Sequence, residues 1–488
     1  EFRRVLFRSL MNAREQLDFC SVTGHALWPD MPAETPEIKP ILDFTRRGFA
    51  RVRERWSHAG EALAQSQEDG RFTTFPGFEM HSCTDGDYTV LYREPGGRIL
   101  DVTGVQDLQA AIARLRQAGV AVLAFPHHLG YKQGQRGVNW SRFDANTSPL
   151  VEVVSMHGCS ELIDASRPFL HSMGPADADS SLAAGLALGV PFGVIGSTDH
   201  HSAHPGSYGH GRMGVWAAAN TRQALWEAFM QRRTWALSGD RIELAMALNG
   251  HFMGTDAGSA DVRRMAIDVA GGGALDSVDV IRNGRVVERF CPAVGDTAPA
   301  AVSGHVCTKL FLEVGWGTVN KAVDWDVEFG ISDGAIRRVE PRFRGAEVVS
   351  PLDAAADDAA GRYLSRCQRV DARHVCFRTR TCGNPTTRTP AMQGVCLHVE
   401  MAPTGVVRAV VNGQRVRLPL TRLLAGQRCG RLGLIDSPCW LLHRAPLEAE
   451  CKCSLTWQDT RHSERDSYYV RVRQRNNQWA WSSPVFVS

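Results

Sequence analysis

The stretch PFGVIGSTDHH, residues 191–201, joins an apolar run to a carboxylate and two imidazoles. A short apolar run bounded by proline and glycine is typical of a buried β-strand. The polar end, Asp199-His200-His201, follows directly after that run. A carboxylate buried among imidazoles is costly unless a cation neutralises it. The stretch therefore predicts a strand whose end carries ligands for a metal ion.

Four other apolar runs before residue 240 carry polar groups at or near their ends. They are LDFCSVTGH (17–25), FTTFPGFE (72–79), AVLAFPHH (121–128) and LVEVVSMHG (150–158). Segments with helical spacing, such as PILDFTRRGFARVRERW (40–56), alternate with these runs. Alternation of strands and helices favours a β/α domain with mainly parallel strands. In a β/α barrel the carboxyl ends of all strands open onto one face, where active sites are built.

The pattern changes after Gly239, where the helical period disappears. Short runs with Asn-Gly turns at 249–250 and 283–284 are typical of antiparallel hairpins. The leader EFRRVLFRS has no capping signal and no apolar period, so we expect it to be non-native and the true start of the protein to be missing. The expected divisions are a leader (1–9), a metal-binding β/α barrel (10–240), a β-rich domain (241–349), an acidic linker or loop (350–362) and a β-rich C-terminal region (363–488).

Composition limits the possible functions. The chain has 488 residues, 43% of them hydrophobic and 22% charged, with a formal net charge of +3. These values indicate a globular protein with a sizeable core, and the scattered basic residues give no indication of a nucleic-acid partner. No apolar run reaches the roughly 18 residues of a membrane span, so no membrane partner is expected. Thirteen cysteines without a C-x-x-C pair leave both disulfides and free thiols open, and the compartment unassigned.

The polar groups at the five strand ends form one candidate set of metal ligands. Its members are His25, Glu79, His127, His128, Glu152, His157, Asp199 and His201. A single strand-end histidine is more often a structural residue, but five such ends on one face favour a metal site. Imidazole and carboxylate suit zinc, manganese or iron, and a pair of ions lowers the pKa of a bound water. The set predicts metal-assisted hydrolysis.

Other catalytic signatures are missing from the sequence. No serine lies in a G-x-S-x-G elbow, which counts against a serine hydrolase. No Walker A phosphate loop is found, and the G-x-G-x-x-G match at 209–214 follows a loop and opens no helix. These absences leave metal-dependent chemistry as the expectation.

Several of these stretches resemble the Polymerase and Histidinol Phosphatase (PHP) superfamily of metal-dependent phosphoesterases. LDFCSVTGHA is similar to the family's LDFxAxTDHA strand, and GFEMHS, FPHH, VEVVSMHGCSE and GSTDHHSAHPGSYG are similar to later motifs of an uncharacterised branch. The resemblance covers most of the chain beyond residue 11 and is weakest over about 300–460. It implies a distorted (β/α)7 barrel with two or three divalent ions, followed by a β-sandwich-like C-terminal region.

The resemblance also implies roles for individual residues. His25 matches the histidine of the TDH motif, and Glu79 matches the carboxylate that bridges two ions. Either His127 or His128 takes the place of the histidine in the HP motif, and Asp199 and His201 match the closing D-x-H. Glu152 and His157 lie where the family often adds another ligand. On the same loop as the closing motif, His200 and His204 are the candidate catalytic proton donors, and His210 and Arg212 are candidate contacts to an anionic substrate.

The sequence departs from the family's pattern in three places. The opening H-x-H, which should precede the LDF strand, is absent, and Gly24 replaces the aspartate of TDH. The histidine expected after the bridging glutamate has no clear counterpart, because the segment offers Asp87 and His81 follows Glu79 too soon. We therefore expect this chain to bind fewer ions than the complete protein.

Two functions remain open from the sequence. The first is a metal-dependent hydrolase, phosphoesterase-like, that uses metal-activated water on a small anionic substrate. The alternative is an impaired or inert barrel whose C-terminal β region binds a glycan or another ligand.

Overall fold

A computed structural model describes residues 2–170, 173–292, 304–318, 321–345, 363–382 and 392–487. The linker expected at 350–362 lies outside these ranges. The α-helices within them are α1 (Phe2–Gln16), α2 (Lys39–Glu54), α3 (Trp56–Ser66), α4 (Val105–Gln117), α5 (Leu182–Leu186), α6 (Arg222–Met230) and α7 (Leu420–Ala425).

The strands outnumber the helices in the described ranges. Those before residue 240 are β1 (Phe19–Leu27), β2 (Thr73–Met80), β3 (Tyr88–Tyr92), β4 (Val122–Pro126), β5 (Leu150–Ser155), β6 (Gly158–Cys159), β7 (Gly193–Gly196), β8 (Arg212–Val215) and β9 (Thr234–Leu237). The next are β10 (Glu243–Leu248), β11 (His251–Phe252), β12 (Arg263–Ala270), β13 (Leu275–Arg282), β14 (Arg285–Phe290), β15 (Val306–Gly315), β16 (Ala322–Ile331) and β17 (Gly334–Arg342). The last are β18 (Arg366–Arg369), β19 (His374–Cys382), β20 (Gln393–Met401), β21 (Val406–Val411), β22 (Gln414–Pro419), β23 (Arg428–Arg431), β24 (Cys439–Leu442), β25 (Lys452–Asp459), β26 (Asp466–Gln474), β27 (Trp479–Ser482) and β28 (Val485–Val487).

The expected fold class, a distorted (β/α)7 barrel, is wrong, because the chain forms a β-rich fold of several antiparallel sheets. Among the strand pairs in the described ranges, β1–β2 and β5–β7 are parallel and the others are antiparallel. The first sheet has the order β1-β2-β3-β4, and a separate sheet has the order β6-β5-β7. Strands β8 and β9 pair with each other and lie in a third sheet with β27 and β26.

Two local features explain the error. The connection from β2 to β3 spans residues 81–87, which is shorter than the dozen or so residues that a parallel crossover requires. The apolar stretch SLAAGLALGV (181–190) forms a helix only at Leu182–Leu186. The alternation of apolar segments therefore did not determine which segments form helices or in which direction the strands pair.

One sheet connects the two halves of the chain. Its order is β14-β13-β26-β27-β9-β8, with β28 paired to β26, so it runs across the boundary expected at residue 240. The side chains of Tyr469, Trp479 and Trp481 are buried in one cluster with Val151 and Val153 of β5. The C-terminal strands thus complete the core on which the strand ends of the first region rest.

The remaining strands form further antiparallel sheets. The sheet β11-β10-β12-β25 packs against the long sheet, with Leu244, Met265 and Val470 in the shared core. The sheets β17-β20-β15-β24-β23 and β18-β19-β16-β21-β22 share a separate core that contains Trp325 and Leu397. Regular alternation of buried and exposed residues along their strands is what two packed sheets require.

The Asn-Gly pairs lie at hairpin turns. Asn249 and Gly250 connect β10 to β11, and Asn283 and Gly284 connect β13 to β14, all with positive φ. Asparagine and glycine tolerate this left-handed conformation, which two-residue hairpin turns need.

The N-terminal segment and the cysteines complete the description. Residues 2–9 of the expected leader (1–9) belong to helix α1, in which Leu6 and Leu10 pack against Leu63 and Phe72. All thirteen cysteines are free thiols. In the described ranges, no helix has both the length and the apolar character needed to span a membrane.

Candidate metal centre

The strand ends of the first region meet at one cavity of about 1260 Å³. Parallel pairing of β1 and β2 sets His25 directly beside Glu79. Strands β4 and β7 contribute His127 and Asp199 from their ends. These side chains share the cavity wall with His81, His128, His157, His200 and His201. Side chains from five segments far apart in sequence therefore face the same space.

Three groups of side chains in the described ranges bring ligand atoms within 4.8 Å of one another. They are Glu79, Asp87, His127 and His128; His25, Glu79 and His81; and His157, Asp199 and His201. Glu79 belongs to two of these groups. The structure thus has histidine and carboxylate groupings that could bind metal.

Glu79 lies among three imidazoles. Its Oε1 is 3.2 Å from the Nε2 atoms of both His81 and His127, and its Oε2 is 3.3 Å from His25 Nε2. The carboxylate is 4% exposed. Burial alone would raise the pKa of Glu79, but the surrounding imidazoles hold it well below its usual value. The carboxylate is therefore kept ionised in the interior.

Asp199 forms a second acidic position. Its Oδ2 lies 3.0 Å from His157 Nε2 and 3.7 Å from His127 Nδ1. Burial would raise the pKa of Asp199, but its contacts with His127 and His157 hold it well below its usual value. Burial would lower the pKa of His127, but Glu79 and Asp199 raise it well above its usual value. His127 thus lies between two buried carboxylates, those of Glu79 and Asp199.

Several of these close approaches lack hydrogen-bond geometry. His81 Nε2, His127 Nε2, His128 Nδ1 and Asp199 Oδ2 are buried and accept or donate no well-formed hydrogen bond. Buried polar atoms are almost always hydrogen-bonded, so such atoms require an explanation. Imidazole nitrogens and carboxylate oxygens that lie together without satisfying one another are a donor set that a divalent cation takes. The residues present therefore fit a divalent metal.

Other contacts orient the candidate ligands. The hydroxyl of Tyr131 lies 2.8 Å from His157 Nδ1, which directs Nε2 of that ring towards Asp199. Asp87 is fully buried, lies 3.3 Å from His128 Nε2 and accepts a hydrogen bond from the Ser82 N–H at 2.9 Å. Contacts of this kind fix the ring orientation and tautomer of metal-binding histidines.

Glu152 does not join any of the three groups. Its Oε1 accepts the backbone N–H of His128 at 2.9 Å, and its Oε2 accepts the Ser197 hydroxyl. Burial raises the pKa of Glu152 to about 7. This side chain, expected as a ligand, instead supports the turn that carries His127 and His128, in which His128 has a φ of 36°.

The remaining predicted residues differ in how close they come to the cavity. His200 lines it, and its Nδ1 accepts the Ser202 N–H at 3.2 Å. His204 is buried beside Gln16, with 3.2 Å between the two side-chain nitrogens, and the ring of His210 packs 5.3 Å from that of His200.

Arg212 is engaged by the protein itself. Its guanidinium donates to the carbonyls of Gly206 and Gly239 and to Gln16 Oε1, each at 3.0 Å. Burial lowers the pKa of Arg212 to about 10. This side chain, expected as a contact to substrate, holds the loop 204–210 against the start of the chain.

Three site residues were not predicted as members of the centre: His81, Asp87 and Arg136. Alternation along a strand puts Glu79 and His81 on the same face, and this E-x-H spacing was the available signal. Asp87 returns to the site because β3 runs antiparallel to β2. Gly24 leaves room for helix α2, since a Cβ there would lie 2.9 Å from Val52 Cγ2.

Comparisons with known proteins give similarity without a function. Residues 207–279 match a family described as a protein of unknown function (DUF3604). An uncharacterised protein of Chlamydia pneumoniae is 22% identical over 255 residues, covering 49% of this chain and 41% of the relative. An uncharacterised protein of Chlamydia muridarum is 25% identical over 173 residues, covering 32% of this chain and 28% of the relative. The chain thus spans less than half the length of these relatives. No solved structure matches it.

Proposed function

We propose that this chain is a metal-dependent hydrolase, and specifically a phosphoesterase that uses metal-activated water. The proposed cofactors are two or three divalent ions of zinc, manganese or iron in the complete protein. The proposed substrate is a small anionic molecule.

One observation carries the proposal. Buried nitrogen and oxygen atoms of His81, His127 and Asp199 approach carboxylates or imidazoles closely and make no well-formed hydrogen bond. Leaving such atoms unsatisfied costs about 1–3 kcal/mol each. Cations bound in the groups to which these residues belong would offset this cost. The resemblance of their strand-end motifs to the PHP superfamily adds support for phosphoester chemistry.

The chain's own residues would share the work in a definite way. Glu79 is placed to hold two ions, and His157, Asp199 and His201 form the third group. Divalent ions, when bound, supply a water of lowered pKa and stabilise charge on the phosphoryl oxygens. The ionised state of Glu79 and Asp199, kept by the neighbouring imidazoles, prepares the site for positive charge.

His200 is the better placed of the two candidate proton donors, because its ring lines the cavity. Its Nδ1 accepts the Ser202 N–H, so the neutral ring carries its proton on Nε2. Burial lowers the pKa of His200 well below its usual value, which favours this neutral ring over the imidazolium that would transfer a proton. His204 contacts Gln16 instead, so we assign to His200 alone a hydrogen bond from its Nε2–H to an oxygen of the substrate.

Metal content of the purified chain tests the proposal first. We expect inductively coupled plasma mass spectrometry to find at least one ion per chain, reduced in Asp199→Ala and in Glu79→Ala. Asp371→Ala is the matched control, because Asp371 also contacts a histidine, His374, but on the exposed surface. We then expect metal-loaded parent protein to hydrolyse bis-p-nitrophenyl phosphate or p-nitrophenyl phosphate, and both site variants to lose this activity. Metal content that is unchanged in both variants would contradict the proposal.

A further inference from the structure

Arg136 is held at the metal centre by a strained loop. The loop between β4 and β5 packs on the β2–β3 connection, where the Arg136 N–H donates to the Cys83 carbonyl at 3.1 Å. Arg136 has a φ of 72°, a left-handed conformation that costs free energy in a residue with a side chain. At the next position, a Cβ on Gly137 would lie 1.7 Å from the Tyr131 carbonyl oxygen. The loop therefore accepts strain and close backbone contact while it directs Arg136 inwards.

One edge of the Arg136 guanidinium is occupied by the site. Its Nε donates to Asp87 Oδ2 at 2.9 Å, and its Nη2 contacts the same oxygen and lies 3.1 Å from His81 Nδ1. The carbon at the centre of the guanidinium lies 5.8 Å from the centroid of the Trp28 ring. These contacts fix the plane of the guanidinium and neutralise the buried carboxylate of Asp87.

The Nη1 side of the guanidinium has only a weak hydrogen-bond acceptor. Nη1 contacts the thioether sulfur of Met173 at 3.1 Å. A thioether is a weak acceptor, whereas a guanidinium binds oxyanions through strong, charge-assisted hydrogen bonds. Arg136 and Met173 both line the cavity that contains the three ligand groups. The guanidinium thus presents unused donor capacity to the space where a substrate would lie.

The Met173 side chain can move away from Arg136 Nη1 to make room for a ligand. Its side chain is flexible and polarizable, as in methionines that adapt to different neighbours. Its backbone N–H is anchored separately, by donation to the Tyr131 hydroxyl at 3.2 Å. The sulfur can therefore move away from Nη1 without displacing the segment that carries it.

We propose that Arg136 Nη1 binds a tetrahedral oxyanion, the phosphoryl group of a substrate, in place of the Met173 sulfur. The proposal rests on the proposed function for the identity of the oxyanion and makes Arg136 a substrate-binding residue. Asp87 sets the orientation of the guanidinium, and Nη1 is left to donate to an oxygen of the oxyanion. If Arg136 served only to neutralise Asp87, the edge formed by its Nε and Nη2 atoms would be sufficient.

Binding of inorganic phosphate to the metal-loaded chain tests the inference without requiring turnover. Isothermal titration calorimetry compares the parent with Arg136→Lys and Arg136→Met, and metal content is measured on each sample. Lysine keeps a positive charge for Asp87 but cannot serve two partners in one plane. We expect both variants to bind phosphate about 10- to 100-fold more weakly, the effect of losing a hydrogen bond to a charged group. We expect Arg136→Lys to retain its metal.

Two control variants distinguish the contribution of Arg136 Nη1 to phosphate binding from that of positive charge in general. Lys132→Met removes an exposed cation from the same loop and should leave phosphate affinity unchanged. Met173→Leu removes the sulfur and should leave phosphate affinity equal to or higher than that of the parent. Sulfate, titrated in parallel, should bind through the same edge, and tighter binding of phosphate would identify the phosphoryl class.

The outcomes distinguish this inference from the proposed function. Parent-like phosphate affinity in Arg136→Lys and Arg136→Met would overturn it. Loss of phosphate binding only in proportion to lost metal, in both variants, would also overturn it, because Arg136 would then act through Asp87 alone. Phosphate binding that depends on Arg136 in a parent without phosphoesterase activity would support the anion site and count against the proposed function.

Discussion

Two buried charge clusters in this chain differ in how completely their members satisfy each other. Around Arg471, the guanidinium donates to Glu161 at 3.0 Å and to Asp279 at 2.7 Å. The second carboxylate oxygen of Glu161 accepts the Tyr469 hydroxyl at 2.7 Å, and Trp481 Nε1 donates to the first at 2.9 Å. Each donor meets an oxygen at hydrogen-bond distance. We call this cluster closed, because its members satisfy one another's hydrogen bonds.

The cluster around Glu79 also places buried carboxylates beside basic side chains, but it is open, because several of its polar atoms are not satisfied by the others. His81 Nε2 and Asp199 Oδ2 have close neighbours of complementary charge and no well-formed hydrogen bond. Because a buried ion pair without good geometry is destabilising, such a cluster needs a partner from outside the chain. Buried polar atoms without hydrogen bonds therefore indicate a possible ligand site better than the number of charged residues does.

The largest effect is expected from Arg471→Met in the closed cluster. Removal of Arg471 leaves Glu161 buried without its cation, whereas Asp279 keeps Arg289 at 2.7 Å. Breaking a buried pair in this way costs about 3–5 kcal/mol. We expect a marked fall in the midpoint of thermal unfolding, measured by circular dichroism, with metal content per folded chain unchanged. Arg473→Met, two residues along the same strand, is the control, because Arg473 is 45% exposed and pairs with Asp276 at 3.5 Å. Equal destabilisation by both variants would break the comparison.

Chelation should act on the open cluster alone. A ligand that binds only the folded state at 100 times its dissociation constant stabilises that state by about 2.7 kcal/mol. We therefore expect EDTA to lower the unfolding midpoint of the metal-loaded parent and to have a smaller effect on Glu79→Ala, which lacks a ligand of two of the three groups. The Arg471→Met variant should respond to EDTA as the parent does, because its metal ligands are intact. An undiminished EDTA response in Glu79→Ala would place the metal outside the two groups that contain Glu79.

Much of the open cluster could be predicted from sequence, because its ligands stand at the ends of apolar runs. His25, Glu79, His127 and Asp199 were predicted in this way and face one cavity. Glu152 could not be separated from them, since only the structure shows its carboxylate holding the His128 N–H. Arg136 lies in a loop with no periodic signal, and its position depends on backbone contacts across two connections.

The fold itself could be predicted only in part. The change to hairpins after residue 239 followed from local turn chemistry at Asn249 and Asn283, which is encoded by adjacent residues. The barrel was wrong because the direction of strand pairing depends on long-range contacts. Local sequence did not indicate that β9 would pair with β27, nearly 250 residues later in the chain.

A third test concerns acid stability, in a closed cluster near the loop 204–210. Burial would raise the pKa of Glu340, but Arg342 and Arg241 lower it to about 2, against 4.5 for the unfolded chain. The stabilisation is therefore present above about pH 4.5 and is lost as the pH falls towards 2. Glu340→Gln should lose about 1.5–3 kcal/mol at pH 7, the size of a hydrogen bond to a charged group. Its unfolding midpoint should then fall less than that of the parent between pH 5 and pH 3, whereas parallel falls would contradict the assignment.

The smallest effect is expected where a neutral hydroxyl orients a ligand of the open cluster. Tyr131→Phe removes the contact of 2.8 Å to His157 Nδ1 and leaves the ring in place. Loss of such an orienting contact weakens metal binding by roughly 10- to 100-fold, and we expect the lower end because Asp199 still faces His157 Nε2 at 3.0 Å. Competition with a fluorescent chelator measures the affinity, and Tyr92→Phe, whose hydroxyl donates to the Arg98 carbonyl, is the control. Equal affinities in the two variants would mean that packing alone positions His157. A loss confined to Tyr131→Phe would mean that the open cluster, though unsatisfied at its centre, is fixed at its edge by hydrogen bonds like those that close the Arg471 cluster.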